Sequence, residues 1–351
     1  MNRHKTFFLV ILVLMFISLF FVIVFFTNGR SSTRSSSMVL SEPSLVEESR
    51  KGIQDEKTLL TQYWTERIQT VSSEKAYSEL TGIPSRYNRS QHLAAHIFGE
   101  LLYNFDGVPG ILICDSRYAY GCFHGFFGNA IQEKGLDIVG EANTQCIEKG
   151  GVNETGCRHG IGHGVLEHLG NLSIEAVFQA LDTCKKIQTP SILGCTQGVF
   201  MEYNFPSSER TDTSTSERRT QDVTKPFAPC DEIPLEHKAS CYFELGEWWN
   251  ESIDPDFKQL RTHCRFLNKE IYEACLTGIG RAIGQLTNFD IDGVQKKCSA
   301  FREESDRTFC FSGAYWVFTA VESQKEKAKF LCPENIGGER ICQKVAQKIY
   351  E

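Results

Sequence analysis

The chain has 351 residues, a net charge of −7 and 23% charged residues. It carries no basic run beyond its first fifty residues, so it lacks the electrostatic footprint of a nucleic-acid-binding protein and that class is excluded. Its fourteen cysteines all lie between Cys114 and Cys342, a density that belongs to an oxidising compartment.

The first element is an apolar stretch over residues 7–26, where only Ser18 is polar. Twenty such residues as a helix cross about 30 Å of hydrocarbon. The stretch runs through Phe25 and Phe26 into Thr27, Asn28, Gly29 and Arg30 without the small residues of a cleavage site, which marks an uncleaved transmembrane signal anchor. Arg3 and Lys5 on one flank are matched by Arg30 and Arg34 on the other, so the cysteines, not the charges, set the orientation. Residues 1–6 are then cytoplasmic, and the remainder is extracytoplasmic, at a cell surface, in a periplasm or in a secretory lumen. Sequons at Asn88, Asn153, Asn171 and Asn250 fit a glycoprotein in a host that glycosylates. Residues 27–52, rich in serine and without apolar periodicity, read as a flexible stalk. A leading helical segment follows over 53–82, and residues 83–351 form a cysteine-rich repeat domain.

The repeat is written in the cysteines. Cys114/Cys122, Cys146/Cys157, Cys184/Cys195, Cys230/Cys241, Cys264/Cys275, Cys298/Cys310 and Cys332/Cys342 are separated by 8 to 12 positions, and the second members recur every 32 to 46 residues. Periods of this size signify stacked supersecondary units. The longest interval contains a polar, serine- and threonine-rich insertion over residues 204–229, read as a surface loop. Regular spacing favours pairing within each interval, although spacing alone leaves the connectivity of fourteen cysteines open.

Counting from the second cysteine, the fourth residue is Phe126, Ile161, Val199, Leu245, Ile279 or Ala314, and the eighth is Ala130, Val165, Tyr203, Trp249, Ile283 or Phe318. Positions 0, 4 and 8 share one face of a helix, here helix A of each unit. Segments such as residues 173–184, with Ile174, Val177, Phe178 and Leu181 at helical spacing, form a second helix B. The expected fold is all-α: repeated helical hairpins, as an α-solenoid or an α/α toroid, stapled by disulfides and preceded by one transmembrane helix. The period is similar to that of tetratricopeptide and Sel1-like repeats, without the former's tryptophan, tyrosine and proline signature. Glycine stands three places after the cysteine in five units, at Gly125, Gly160, Gly198, Gly278 and Gly313. It serves either a close backbone approach or the turn leading into the helix.

Six of nine histidines fall between His92 and His168. Residues 90–105 repeat the helix A pattern with Ser90 in the place of the cysteine, which puts His92/His96, His124 and His159/His163 two and six places after the reference. Those offsets lie opposite the apolar stripe, facing a concave surface or central cavity. Histidines at i and i+4 on adjacent helices can converge on one ion, and imidazole suits zinc, iron or copper. His92, His96, His124, His159 and His163 are thus the candidate ligands. Glu100 and Glu167 are candidate carboxylate ligands or catalytic bases, with His168 behind them. An open coordination position would make a metal-dependent hydrolase or oxidoreductase, and a filled one a structural ion.

Two other readings compete. A non-catalytic scaffold would grip a protein or glycan on its concave face. A glycan-active toroid would use Glu202, Glu244 and Glu247, with Trp248 as a sugar platform and Trp249 in the core stripe. No phosphate-binding loop or serine or cysteine nucleophile motif is present.

Overall fold

The computed structural model describes residues 42–82, 89–151, 154–170, 173–206, 225–254, 256–334 and 338–348. The chain divides into two units, Met1–Gln54 and Asp55–Glu351, and the histidines and all the disulfides belong to the second. The apolar stretch over 7–26 lies outside the described residues, as do the sequons at Asn88, Asn153 and Asn171 and most of the 204–229 insertion. Among the described residues no helix is long and apolar enough to cross a membrane.

The described residues are helical, with no strand among them. In chain order the α-helices are α1 (Glu42–Val71), α2 (Ser73–Gly82), α3 (Arg89–Asp106), α4 (Gly121–Lys134), α5 (Val139–Gly150), α6 (Thr155–Leu169), α7 (Ile174–Lys185) and α8 (Cys195–Asn204). They continue as α9 (Leu235–Ser252), α10 (Lys258–Cys264), α11 (Lys269–Leu286), α12 (Ile291–Ser299), α13 (Glu304–Ala320), α14 (Lys325–Ala328) and α15 (Gly338–Lys348). Helix α1 begins at Glu42, so the last part of the 27–52 segment assigned to a stalk is helical: its glutamates and Lys51 are good helix formers even without an apolar stripe. The segment after Gln54 packs as part of the repeat body. Trp64 and Tyr77 close on Phe98 of α3, at ring-centroid distances of 5.4 Å each, and Arg67 forks onto Glu79.

Helices α3, α4, α6, α8, α9, α11, α13 and α15 are the A helices, and each packs against the next. Helices α5, α7, α10 and α12 are the B elements. Side-chain caps fix several helix starts of both kinds: Ser173 for α7, Asn268 for the A helix α11 and Asp290 for α12 each accept a backbone N–H three residues on.

The disulfides are Cys114–Cys122, Cys146–Cys157, Cys184–Cys195, Cys230–Cys241, Cys264–Cys275, Cys298–Cys310 and Cys332–Cys342. Each closes its own short interval, as the spacing favours, and no described cysteine is free. Most tie the end of one unit's B element to the next A helix. A loop of this length restricts the unfolded chain by roughly 2 to 3 kcal/mol. The A helices do not all begin at the second cysteine, as counting from that residue implies. Cys195 opens α8, but Cys241, Cys275 and Cys310 lie more than one turn inside α9, α11 and α13, which start at Leu235, Lys269 and Glu304. In α11 the extra turn is supported by the Asn268 cap, a polar signal that lies outside the apolar stripe.

The recurrent glycines lie inside the A helices and bring backbones together. A Cβ at Gly125 would overlap the His96 carbonyl oxygen, and one at Gly198, Gly278 or Gly313 would overlap the carbonyl of His159, Phe243 or Thr277. The contact is reciprocal: Gly99 meets the Cys122 carbonyl, Gly162 that of Cys195 and Gly280 that of Cys310. Such Cα–H···O contacts let successive A helices cross without intervening side chains.

Phe243 of α9 reaches Trp316 of α13 across one intervening A helix, with ring centroids 5.6 Å apart. The face at offsets 2 and 6 therefore does not line an open concave surface. It is buried, at 3% exposure for His124, 2% for His159, 4% for His163 and 3% for Arg281.

Candidate metal centre

The glycine contacts also fix the register of the first unit. In three later pairs the carbonyl that meets the glycine belongs to the residue two places after the reference cysteine, His159 after Cys157, Phe243 after Cys241 and Thr277 after Cys275, whereas Gly160 meets Phe123, one place after Cys122. In α3 that residue is His96, so Ala94, not Ser90, occupies the cysteine's place. The assignment of His92 to offset 2 and His96 to offset 6 is one helical turn too early. His96 stands at offset 2, Glu100 at offset 6, and His92 joins from the preceding turn. The apolar stripe could not reveal this, because a shift of four residues maps one apolar position onto the next.

All five histidines meet in one chain of contacts. Ring centroids are 4.6 Å apart for His92 and His96, 5.1 Å for His96 and His124, 4.2 Å for His124 and His163, and 4.8 Å for His159 and His163. Their nitrogens form two groups, His92/His96/His124 and His124/His159/His163, within each of which one ligand atom per residue lies within 4.8 Å of the others. His124 belongs to both. The first group is half-exposed at His92 and His96, whereas the second is wholly buried.

Two of the five rings, His92 and His163, are oriented from behind. His92 Nδ1 lies 2.6 Å from the Tyr118 carbonyl oxygen, and His163 Nδ1 lies 2.9 Å from Glu202 Oε2. Each ring donates through Nδ1–H and turns Nε2 toward its neighbours, the arrangement that fixes tautomer and aim in metal-ligating histidines. Tyr118 sits in an uncommon stretch: Tyr118, Ala119 and Tyr120 have φ of 54°, 51° and 62°, three successive non-glycine residues in the left-handed region. The Cys114–Cys122 disulfide encloses this stretch, and the Tyr118 hydroxyl donates to the Leu80 carbonyl at 3.0 Å.

At the first group, His96 Nε2 is 3.1 Å from His92 Nε2 and 3.2 Å from His124 Nδ1. A ring nitrogen offers one N–H or one lone pair, so His96 Nε2 can complete one of these contacts as a linear hydrogen bond and not both. Three nitrogens sharing an ion at about 2 Å in tetrahedral geometry lie about 3.3 Å from one another. The two measured separations are already close to that value.

Burial, reinforced by the neighbouring imidazoles, holds His124 well below the ordinary histidine pKa. Burial does the same to His159, with His163 and Arg281 adding to it. Both rings are therefore neutral at pH 7, the form that ligates.

Beyond the histidines the buried face is occupied by an ion-pair network. Arg281 Nη1 and Nη2 donate to Glu244 at 2.9 and 2.5 Å, Nη2 also meets Glu247 at 3.1 Å, and Gln197 donates to Glu244 at 2.7 Å. Glu244 and Glu202 are fully buried, Trp248 and Trp249 are 3% and 0% exposed, and no exposed tryptophan platform or free pair of acids stands there for a sugar. Glu100, Glu167 and His168 join neither histidine group. Glu100 lies half-buried one turn beyond His96, and Glu167 half-buried one turn beyond His163. Two participants escaped the sequence reading: the Tyr118 carbonyl, since any residue carries one, and Glu202 as the partner of His163, whose signal was its place one past the offset-6 position in the next unit.

Comparison with protein-family models, with curated proteins and with solved structures finds no match.

Proposed function

We propose that this chain is a membrane-anchored, extracytoplasmic metalloprotein that binds a transition metal through His92, His96, His124, His159 and His163. The observation that carries the reading is the convergence of five imidazoles from three successive A helices, with His92 and His163 aimed by hydrogen bonds from behind. Both groups are made of imidazole nitrogens, and no described cysteine is free to supply a thiolate. That set suits zinc, copper or iron rather than calcium or magnesium. Glu202, fully buried behind His163, accepts from its Nδ1–H and holds the ring in place. Against the scaffold reading stands the burial of the face it would use.

The half-exposed His92 and His96 give the first group access to solvent. Three protein nitrogens leave a coordination position for water, which separates a reactive metal from a structural one. The reading therefore extends to an enzyme: a hydrolase if the ion is zinc, an oxidoreductase if it is iron or copper. Glu100, one turn beyond His96, is the carboxylate nearest in register to act as a base.

The test is elemental analysis of the full chain purified in detergent. Stoichiometric zinc, copper or iron, lost in His96→Ala combined with His163→Ala, is the expected result. Protein that folds and emerges free of these metals, and takes up none when dialysed against them, would overturn the reading in favour of the scaffold.

A further inference from the structure

Five ligands in contact do not share one centre. The nitrogens gather into two groups of three, no group of four or five exists among the described residues, and His124 is the member common to both. Its Nδ1 edge lies at 3.2 Å from His96 Nε2, while its ring packs on His159 and His163 with centroids 5.0 and 4.2 Å away. An imidazole cannot aim both nitrogens at one ion, because they diverge from opposite sides of the ring.

We infer that the chain holds two transition-metal ions, an outer one on His92, His96 and His124 and an inner one on His124, His159 and His163, bridged by the His124 ring. This rests on the metal-binding reading above and adds its nuclearity and its internal asymmetry. Bridging replaces the remaining ring N–H of His124 with a second metal–nitrogen bond, and that proton leaves to solvent. With ligand bonds of about 2 Å at either edge of the ring, the ions lie about 6 Å apart.

The environments of the two ions differ in a way that assigns their roles. The outer group contains the half-exposed His92 and His96 and is the one a substrate can reach. The inner group is buried on all three members, and its His163 is bonded to the fully buried Glu202. The inner ion has no route for a substrate and acts on the outer one through the shared ring, setting how strongly His124 donates to it.

The experiment loads the metal-free full chain with copper(II) and, separately, with zinc(II), and reads bound metal per chain together with the electron paramagnetic resonance of the copper form. Two equivalents of either metal are expected. The copper form should show much less resonance intensity than two isolated ions, because an imidazolate bridge couples their spins. His159→Gln should reduce the content to one equivalent and restore the full signal of one isolated copper. His96→Gln should also leave one equivalent, while His124→Gln should weaken both sites. One equivalent in the unsubstituted chain would overturn the two-ion centre and leave the single-metal reading standing. Two equivalents with uncoupled signals would overturn the bridge, and no metal at all would overturn both readings. Because His96→Gln and His159→Gln each leave the other group intact, the conclusion survives a failure of the His124 variant to fold.

Discussion

Two buried imidazoles make the folded protein sensitive to acid in a defined direction. His124 and His159 are held well below the ordinary histidine pKa, first by burial and then by neighbouring positive or titrating groups. In the unfolded chain they titrate near pH 6.5. Between that value and their folded values the unfolded state binds more protons, so stability rises with pH across the window and falls as pH drops through it. Each contributes up to about 1.4 kcal/mol per pH unit. His237, also lowered chiefly by burial, acts in the same direction. For metal-free protein, the urea midpoint should be constant above about pH 7 and fall steadily from pH 6.5 to 5. The variant carrying His124→Gln and His159→Gln should lose most of that slope. An unchanged slope would show that the two rings are not the source.

At the scale of the helix, the governing feature is the close backbone crossing. Alanine in place of Gly125 would gain about 1 kcal/mol of helix propensity, but its Cβ would overlap the His96 backbone carbonyl, which no side-chain rotation can relieve. Overpacking of this kind costs about 1 to 3 kcal/mol. We therefore expect Gly125→Ala to lower the denaturation midpoint and, by prising α3 from α4, to weaken metal binding. Gly140→Ala in α5, where a Cβ meets nothing within 4 Å, should be neutral or stabilising. The same crossing explains how far the element pattern could be read from residue order. Apolar positions at 0, 4 and 8 marked the A helices and their buried stripe, because that signal is local. The register of α3 was not legible: its reference position is alanine, and the contacts of Gly99 and Gly125 between helices distinguish Ala94 from Ser90. The grouping of the histidines was visible from their i, i+4 spacing on successive units, although His92 and His96 were placed one turn too early, while the burial of the face they occupy depended on how closely successive helices pack. That packing is set by glycine-to-carbonyl contacts between units, which no single unit specifies.

Over the whole repeat body, stability and chemistry are distributed differently. The disulfides run from Cys114 to Cys342, whereas the histidine centre draws on α3, α4 and α6 alone, with Glu202 from α8 behind it. Replacing both cysteines of Cys146–Cys157 or of Cys332–Cys342 by serine should destabilise by a similar amount, about 2 to 3 kcal/mol from loop entropy. The two losses should part company in metal binding. The first frees the start of α6, which carries His159 and His163, and should reduce affinity. The second lies at α15 and should leave affinity as it is. Equal effects on affinity would mean that strain passes from α15 to the histidines through the packed A helices.

The pairing pattern has a consequence for how the molecule is made. Every sulfur bond joins residues 8 to 12 positions apart. A chain delivered from its N-terminus into an oxidising space can close each bridge as soon as the two cysteines emerge, without waiting for a distant partner. Short-range closure is fast, and it outcompetes the many long-range alternatives. His92 to His163 would therefore be in place, with their neighbouring bridges made, before the cysteines from Cys230 onward have paired.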